Sequence, residues 1–261
     1  MNTVYGARRS ASMRGWDPGR HSSSFPSGYS VAVLAVHRLR WVRRPLIRCT
    51  LTALAALTLV TSTSAASSPP ALPSFTSSVS PVTAAQLGRT WRPGCPVGPS
   101  QLRLLHLRYL GFDDKPRVGT MVVNASVTAA VIRVFADLYA HRFPLHSMVP
   151  ESAFAGRDPA SMAADNTSGF NCRYAVTTGP KQWSVHAYGE AIDVNPVQNP
   201  YVFNGVAQPV SGRAYMNRSD VRPGMSEPGG VLNDAFASVG WFWGGRWTAS
   251  PDYQHFSATG G

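Results

Sequence analysis

Acidic residues are scarce in this chain: 13 Asp and Glu stand against 24 Lys and Arg, which gives a formal net charge of +11. Such an excess raises the hypothesis of a nucleic-acid partner. The excess is concentrated at the front, however, because residues 1–48 carry nine Arg and a single acidic residue, Asp17. The 15 basic and 12 acidic residues that remain leave the body only mildly basic, and no nucleic-acid partner is expected.

A long hydrophobic run is also lacking near the N-terminus. The apolar residues 49–60 are followed by Ser, Thr and Ala up to residue 66, whereas a membrane-spanning helix needs about 20 predominantly apolar residues. Because five arginines between residues 38 and 48 precede the run, residues 1–66 are predicted to be a cleaved signal peptide with a long basic front, whose start is open to mis-assignment. The protein is therefore expected to be secreted, extracellular or at the cell wall; the alternative is a membrane anchor formed by an uncleaved N-terminal segment.

Cysteine is rare as well, with three residues in the whole chain. Removal of a signal peptide takes Cys49 away and leaves Cys95 and Cys172 in an oxidising compartment. An even pair in an exported chain suggests one disulfide. The alternative is two free, buried cysteines.

The composition changes again after residue 66. Residues 67–90 are rich in Ser, Pro, Thr and Ala and have almost no charge, which is typical of a linker. The folded domain is predicted to span residues 91–261, and the sequence contains no internal repeat. With 44% hydrophobic residues in the chain, a packed core is feasible.

Hydrophobic periodicity places the first elements of this domain. Apolar and polar side chains alternate over residues 105–109, which predicts a half-buried strand. From Val127 the apolar positions recur at helical spacing. This pattern predicts a helix that is capped by Asn124 or Ser126 and ends at Phe143-Pro144.

The second half of the domain has weaker patterns. Residues 151–169 have no period and are predicted to form a long loop near the site. Residues 231–239 suggest a short helix capped by Gly240. The aromatic stretch 241–247 is predicted to form a strand, a tight turn and a second strand.

Residues 191–195 are predicted to be the strand that carries the site. Side chains alternate along a strand, so Ile192 and Val194 would face a core. Asp193 and Asn195 would then face the other way, towards an open cleft. The strand would hold the carboxylate of Asp193 on a rigid sheet.

Two imidazoles and one carboxylate form a candidate zinc site. His186, Asp193 and His255 would occupy three positions of a tetrahedral zinc ion and leave the fourth open for water, as in catalytic zinc sites. Gly189 allows the chain to turn so that the first two ligands converge. Asp252 lies three residues before the last ligand and is the candidate general base. The alternative for Asp252 is to orient His255 through its other ring nitrogen.

Several sequence motifs occur in a fixed order around these residues. They are Ser-x-His-x-x-Gly-x-Ala-x-Asp-x-Asn at 184–195, Asn-Pro-Tyr at 199–201, Gly-Trp-x-Trp-Gly-Gly-x-Trp at 240–247 and Asp-x-x-His-Phe at 252–256. This series resembles the D-alanyl-D-alanine carboxypeptidase family of zinc metallopeptidases. The branch that it resembles contains the L-alanyl-D-glutamate endopeptidases, and the resemblance extends from about residue 95 to residue 256.

The resemblance implies roles for individual residues. It makes His186, Asp193 and His255 the zinc ligands and Asp252 the base. Arg173 matches an arginine that faces the substrate carbonyl or a substrate carboxylate, a role that suits a fixed guanidinium charge; the alternative is a surface salt bridge.

For two further sets of residues, the sequence allows either a substrate-binding role or a structural role. Ser184 is a candidate for substrate binding, and the alternative is that it only fixes the turn before His186. The aromatic residues either line a peptide groove or pack behind the site; they are Trp241, Trp243, Trp247 and Tyr253.

The expected protein is monomeric and single-domain, and the resemblance is the main basis for assigning it to the α+β class. The resemblance implies a hedgehog/DD-peptidase-like fold, in which an antiparallel sheet carries the zinc site and helices pack on its far side. It also implies hydrolysis of the stem peptides of peptidoglycan, by a D-Ala-D-Ala carboxypeptidase or an L-Ala-D-Glu endopeptidase. The alternative from another class is a zinc-stabilised module that binds wall peptides without cutting them, for which a carboxylate at Asp252 would not be needed.

Overall fold

The computed structural model describes residues 71–176 and 179–260. The predicted signal peptide, residues 1–66, and the first residues of the predicted linker lie outside the described residues. Among the residues that are described, none of the helices has the length and apolar character needed to cross a membrane.

The described residues form eight strands and four α-helices, with short 3-10 turns between them. The strands are β1 (Ser77–Pro81), β2 (Leu102–Leu110), β3 (Pro116–Asn124), β4 (Ala191–Asp193), β5 (Tyr201–Phe203), β6 (Val206–Gln208), β7 (Phe242–Trp243) and β8 (His255–Ser257). The helices are α1 (Ala84–Leu87), α2 (Thr128–Ala140), α3 (Asp158–Ala163) and α4 (Val231–Ala237).

The strands form three small antiparallel sheets. The first has the order β1-β2-β3, the second has the order β4-β8-β7, and β5 and β6 form a hairpin. The strand predicted at residues 105–109 is confirmed as part of β2, where Leu105 and Leu107 are fully buried. The α+β class is confirmed in the sense that helices accompany small antiparallel sheets.

The predicted extent of the linker, up to residue 90, was wrong. β1 lies inside that segment and pairs with β2, with Ser77 opposite Leu107. α1 follows, capped by Thr83, and buries Leu87. An edge strand is held by backbone hydrogen bonds and needs few apolar side chains, so composition alone does not reveal it.

The helix predicted from Val127 is confirmed as α2. A 3-10 turn, Ala125–Val127, leads into α2, and Asn124 rather than Ser126 caps this turn, because the Asn124 side chain accepts a hydrogen bond from the Ser126 backbone at 3.1 Å. The helix α2 itself has no side-chain cap. The apolar side of α2 packs into the main core, which also contains residues of α4. α4 confirms the short helix predicted at 231–239, and Gly240 follows it with φ of 79°.

The loop predicted at residues 151–169 was only partly right. It contains a 3-10 turn, Glu151–Phe154, and the helix α3, which has Asp158 and a proline in its first turn. A helix of six residues spans fewer than two turns, so it has no hydrophobic period that a sequence pattern could show.

The aromatic stretch 241–247 forms one strand instead of two. β7 is followed by the 3-10 turn Gly244–Arg246, and the neighbour of β7 in the sheet is β8. Tertiary pairing with residues further along the chain therefore replaces the local hairpin that the pattern suggested.

The second sheet joins the site to the core. Ile192, Val194 and Phe256 are fully buried and belong to the same core as the apolar side of α2. The Phe236 ring of α4 stacks on Phe256 with ring centroids 4.1 Å apart, so α4 packs on the face of this sheet opposite Asp193 and His255.

A disulfide between Cys95 and Cys172 is present, with the two Cα atoms 5.9 Å apart. This confirms the bridge predicted from the even pair and excludes the alternative of two free cysteines. The bridge ties the segment before β2 to the residue next to Arg173, and it lies in a second, smaller apolar cluster with Phe170.

Candidate metal centre

His186 lies in a 3-10 turn, Val185–Tyr188, directly before β4 in the chain. Ser184 caps this turn, because its hydroxyl accepts a hydrogen bond from the His186 backbone at 3.3 Å. Gly189 ends the turn with φ of 70°, and a Cβ there would lie 2.7 Å from the Asn124 backbone nitrogen. The turn-fixing role of Ser184 is therefore observed, although its side chain also borders the cleft described below.

Asp193 and His255 face each other across the second sheet. The antiparallel register pairs Ile192 with Phe256 and Asp193 with His255. Because side chains alternate along a strand, the first pair enters the core and the second pair faces the site. The parity predicted for Ile192 and Asp193 is confirmed.

The expectation that Asn195 also faces an open cleft was wrong. Asn195 is fully buried, and its carboxamide donates to the carbonyls of Pro144 and Gly224 at 2.9 and 3.2 Å. Its φ of 45° takes it out of the strand, since β4 ends at Asp193. Asn195 thus anchors neighbouring loops instead of contributing to the site.

The three predicted ligands converge on one point. Each of three pairs is 3.2 Å apart: His186 Nε2 and His255 Nδ1, His186 Nε2 and Asp193 Oδ2, and His255 Nδ1 and Asp193 Oδ1. Ligands bound to zinc at about 2.0–2.1 Å in tetrahedral geometry are about 3.3 Å from one another. The arrangement therefore fits a zinc ion, and all three side chains are buried.

Hydrogen bonding decides which nitrogen of His186 faces the cluster. Nδ1 lies 2.8 Å from the backbone carbonyl of Gly169, which can only accept a hydrogen bond. Nδ1 therefore carries the proton, and Nε2 directs a lone pair towards Asp193 and His255. A carbonyl behind a histidine ligand is a common way to hold the imidazole in the binding tautomer.

Burial and mutual electrostatic interactions shift the pKa values of the three clustered side chains in different directions. Burial would raise the pKa of Asp193, but His186 and His255 hold it well below its ordinary range. Burial lowers the pKa of His255 against the opposing effect of Asp193. For His186, burial acts to lower the pKa, but Asp193 outweighs burial and raises it. Asp193 is therefore ionised, and His186 holds a second ring proton more readily than His255 does. A divalent cation that binds here would displace that proton, because metal ligation requires neutral imidazoles.

Asp252 lies beside this cluster on the wall of the same cleft. Its Oδ1 is buried and has no hydrogen-bond partner among the described residues. Burial, followed by repulsion from Asp193, raises the pKa of Asp252 well above its ordinary value. His255 Nε2 is likewise buried without a partner, so the structure shows no bond by which Asp252 would orient the His255 ring.

Arg173 borders the cleft and is held by Asp158. Its Nε donates to Asp158 Oδ1 at 2.8 Å, and the two side chains are only 23% and 19% exposed. Burial would lower the pKa of Arg173, but the carboxylates of Asp158, Asp193 and Asp252 raise it instead. The salt bridge named as the alternative is thus present, but it forms part of the cleft wall instead of the outer surface.

The cleft around these residues has a volume of about 340 Å³. Trp247 and Trp183 border it, and the Trp247 ring lies 5.3 Å from the His255 ring. By contrast, Trp241 is buried against Phe236, with ring centroids 5.4 Å apart. Of the two roles considered for the aromatic residues, Trp247 therefore lines the cleft and Trp241 packs behind it.

Trp243 and Tyr253 also belong behind the site. The Trp243 indole nitrogen donates to the Tyr253 carbonyl at 2.9 Å, and the two rings lie 6.1 Å apart. Gly244 is next to them, where a Cβ would lie 2.9 Å from the Asp252 carbonyl and 3.2 Å from the His255 Cβ. Glycine at this position allows the backbone to pack directly against the segment that carries Asp252 and His255.

Sequence reasoning missed three contributors to the site. Asp158 holds Arg173, the Gly169 carbonyl holds His186, and the buried Glu151 accepts hydrogen bonds from Ser161 and Asn171 behind them. All three lie in the segment predicted to be a loop, and no spacing pattern links them to the ligands. The only available signal was the prediction that this segment lies near the site.

Residues 178–258 match the model of a family described as D-alanyl-D-alanine carboxypeptidase. The matched segment contains all three candidate ligands and Asp252, but it does not include Arg173. Comparisons with curated proteins and with solved structures found no match. The family match, together with the cluster of His186, Asp193 and His255, supports the assignment of this part of the chain to a peptidase family of the D-alanyl-D-alanine carboxypeptidase type.

Proposed function

We propose that the protein is a zinc-dependent peptidase with a hedgehog/DD-peptidase-like fold that hydrolyses the stem peptides of peptidoglycan. The observation that carries the proposal is the convergence of His186 Nε2, Asp193 and His255 Nδ1 at mutual distances of 3.2 Å. An unpaired, buried carboxylate oxygen of Asp252 lies on the wall of the same cleft. Three protein ligands beside an open cleft are typical of catalytic rather than structural zinc.

The residues around the cluster divide the chemistry of peptide hydrolysis between them. His186, Asp193 and His255 would hold a zinc ion, which would supply Lewis acidity and would lower the pKa of water to roughly 7. Asp252 accepts the proton of the attacking water and passes it to the leaving amine. The raised pKa of Asp252 suits this role. It makes the carboxylate a stronger proton acceptor, and the protonated carboxyl group can then act as the acid.

Arg173 supplies the positively charged side chain of the proposed site. Its guanidinium, held by Asp158, stabilises negative charge on the scissile carbonyl oxygen or binds a substrate carboxylate. Ser184 is placed to contact substrate as well as to cap the turn, because it borders the cleft.

The proposed substrate is outside the membrane, which agrees with export. We propose that residues 1–66 direct the chain out of the cell and that the mature protein is secreted or held at the cell wall as a monomer. The disulfide between Cys95 and Cys172 supports this, since such bonds persist in oxidising compartments.

The competing function is a zinc-stabilised module that binds wall peptides without cutting them. Asp252 argues against it. A buried carboxylate oxygen without a hydrogen-bond partner costs stability, and a binding module would gain nothing from it. A peptidase needs such an oxygen free to accept a proton.

The proposal is tested with residues 67–261, the chain expected after removal of the predicted signal peptide, and a synthetic stem pentapeptide. Products are identified by mass spectrometry after incubation with zinc and with a chelator. Loss of one D-Ala that the chelator abolishes indicates a carboxypeptidase, and a cut after L-Ala indicates the endopeptidase. If zinc binds and neither bond is cut, the binding module replaces the peptidase as the proposed function.

A further inference from the structure

A second cleft, of about 410 Å³, is lined by aromatic residues that follow α4. Phe242 and Trp247 contribute the exposed part of its wall, at 57% and 37% exposure, and Trp241 and Trp243 contribute the more buried part. Clustered exposed aromatic rings on a globular protein mark binding surfaces. The proposed hydrolysis does not use Phe242, so its exposure has no explanation in the catalytic site.

Two polar groups border the same cleft. Asn233 of α4 is only 8% exposed; its Nδ2 donates to the Glu227 carbonyl, whereas its Oδ1 is buried and accepts no hydrogen bond from the described residues. Arg246 is exposed, and none of the described carboxylates forms an ion pair with it. A mainly aromatic cleft with a few polar groups of this kind is the usual composition of a small-ligand site.

The local backbone holds this surface in place. Arg246 and Trp247 follow Gly245, where a Cβ would lie 2.3 Å from the Trp243 indole. Only glycine lets the 3-10 turn lie flat on that ring. The packing of this turn against Trp243 therefore fixes the positions of Arg246 and Trp247.

Trp247 connects the second cleft to the first. It borders both clefts, and its ring lies 5.3 Å from the ring of His255. The two clefts therefore share one wall residue, and an extended ligand that spans both must pass the Trp247 ring.

We propose that the second cleft binds N-acetylated amino sugars, namely the glycan chain to which the stem peptide is attached. This inference rests on the proposed function, because it takes the ligand in the first cleft to be a stem peptide. Pyranose rings present apolar C–H faces that cover the rings of Phe242 and Trp247. The acetamido N–H and the hydroxyls supply the donor that Asn233 Oδ1 lacks and the acceptors that Arg246 requires.

The test uses residues 67–261, the chain expected after signal-peptide removal, loaded with zinc, and the β-1,4-linked tetramer of N-acetylglucosamine, which carries no peptide. Isothermal titration calorimetry is expected to show saturable binding with a Kd below about 1 mM. Phe242→Ala and Arg246→Ala are each expected to weaken binding at least about tenfold. Phe112→Ala is the matched control, because Phe112 is 42% exposed and borders neither cleft; its affinity is expected to be unchanged.

Two results would overturn the proposal. One is the absence of saturable binding by the tetramer. The other is binding that Phe242→Ala and Arg246→Ala leave unchanged. Equal affinity for a glucose tetramer would overturn the assignment to amino sugars, since glucose has no acetamido group.

The test is independent of hydrolysis. If the tetramer binds but the stem pentapeptide is not cleaved, the proposed function fails and the sugar site stands. If the pentapeptide is cleaved but the tetramer does not bind, the sugar site fails and the peptidase stands.

Discussion

Asp193 and His255 are direct partners in the antiparallel pair of β4 and β8, and their side chains meet at 3.2 Å on the face of the sheet that borders the cleft. The pair next to them, Ile192 and Phe256, is fully buried on the opposite face. Because the same four residues build both the core and the candidate metal centre, a shift of register by one residue would exchange the two faces. The hydrophobic core therefore determines where two of the three ligands lie.

Removal of one ligand should abolish tight metal binding. For His186→Ala we expect zinc affinity to fall by more than about 100-fold. Loss of a residue that only hydrogen-bonds to a metal ligand already costs up to about 100-fold, and loss of the ligand itself should cost more. Zinc content after dialysis and a competition titration with a chromophoric chelator measure this. His141→Ala is the control, since His141 is exposed and contacts Asp137. A His186→Ala protein that still binds one equivalent tightly would remove His186 from the ligand set.

Substitution of the proposed base should separate metal binding from hydrolysis. We expect Asp252→Asn to retain one zinc and to lower kcat by about 10²–10⁴-fold, the usual contribution of a positioned acid or base. Steady-state kinetics on the stem peptide and metal analysis of the same sample test this. Asp220→Asn, at an exposed aspartate, should behave as the wild type. Near-normal turnover by Asp252→Asn would exclude Asp252 as the base.

Arg173 should act on turnover and not on metal content. We expect Arg173→Ala to lower kcat/KM by about 10²–10³-fold, as for loss of one donor to a developing oxyanion. Asp158→Asn should have a smaller effect in the same direction, because it frees the guanidinium that Asp158 holds at 2.8 Å. Zinc content should be unchanged in both. If Arg173→Ala keeps kcat/KM within about threefold of the wild-type value, Arg173 has only a structural role in its salt bridge with Asp158.

The disulfide should contribute substantially to stability. Cys95 and Cys172 are 77 residues apart, and closure of a loop of this length restricts the unfolded chain. We expect the double variant Cys95→Ser, Cys172→Ser to lose about 2–5 kcal/mol in the free energy of unfolding. Urea denaturation of the wild type and the double variant, with and without reductant, measures the loss. A difference between the two proteins below about 1 kcal/mol would contradict the expected range.

Glu151 should make the protein less stable as the pH rises. Burial raises its pKa, against hydrogen bonds from Ser161 and Ser168 that lower it. The folded state then keeps the proton to a higher pH than the unfolded state, in which a glutamate titrates near about 4.3. The free energy of unfolding should therefore fall as the pH rises from there through the folded-state pKa.

Denaturation curves between pH 4 and pH 8 in the presence of chelator test this expectation. Glu151→Gln cannot ionise at this position, so its stability should decline less steeply over the same range. Asp220→Asn serves as the control at an exposed carboxylate. Equal slopes for the wild type and Glu151→Gln would show that Glu151 does not titrate in this way.

Two of the candidate ligands were predictable because local sequence patterns indicate how their side chains are placed. Alternation around Asp193 indicated its face of the strand, and Gly189 indicated the turn after His186; both are confirmed. The third ligand, His255, is 62 residues from Asp193, and only the resemblance of the motif series joined it to the others.

Other features were wrong or missed because they depend on partners distant in sequence. β1 is a strand only because its backbone pairs with β2, and β7 pairs with β8 instead of with the residues that follow it. Asn195 continues the alternating pattern, yet the carbonyls of Pro144 and Gly224 take its side chain out of the cleft.

The sequence by itself thus determined the residue types of the candidate metal centre, the face on which Asp193 lies and the helix that supports the core. These features follow from the period of side chains along a strand or helix and from the donor preferences of zinc. The tertiary structure alone decided that Asp158 holds Arg173, that the Gly169 carbonyl selects the tautomer of His186, and that Trp247 borders both clefts. Such contacts arise when segments far apart in the chain pack on one core, and no local periodicity encodes them.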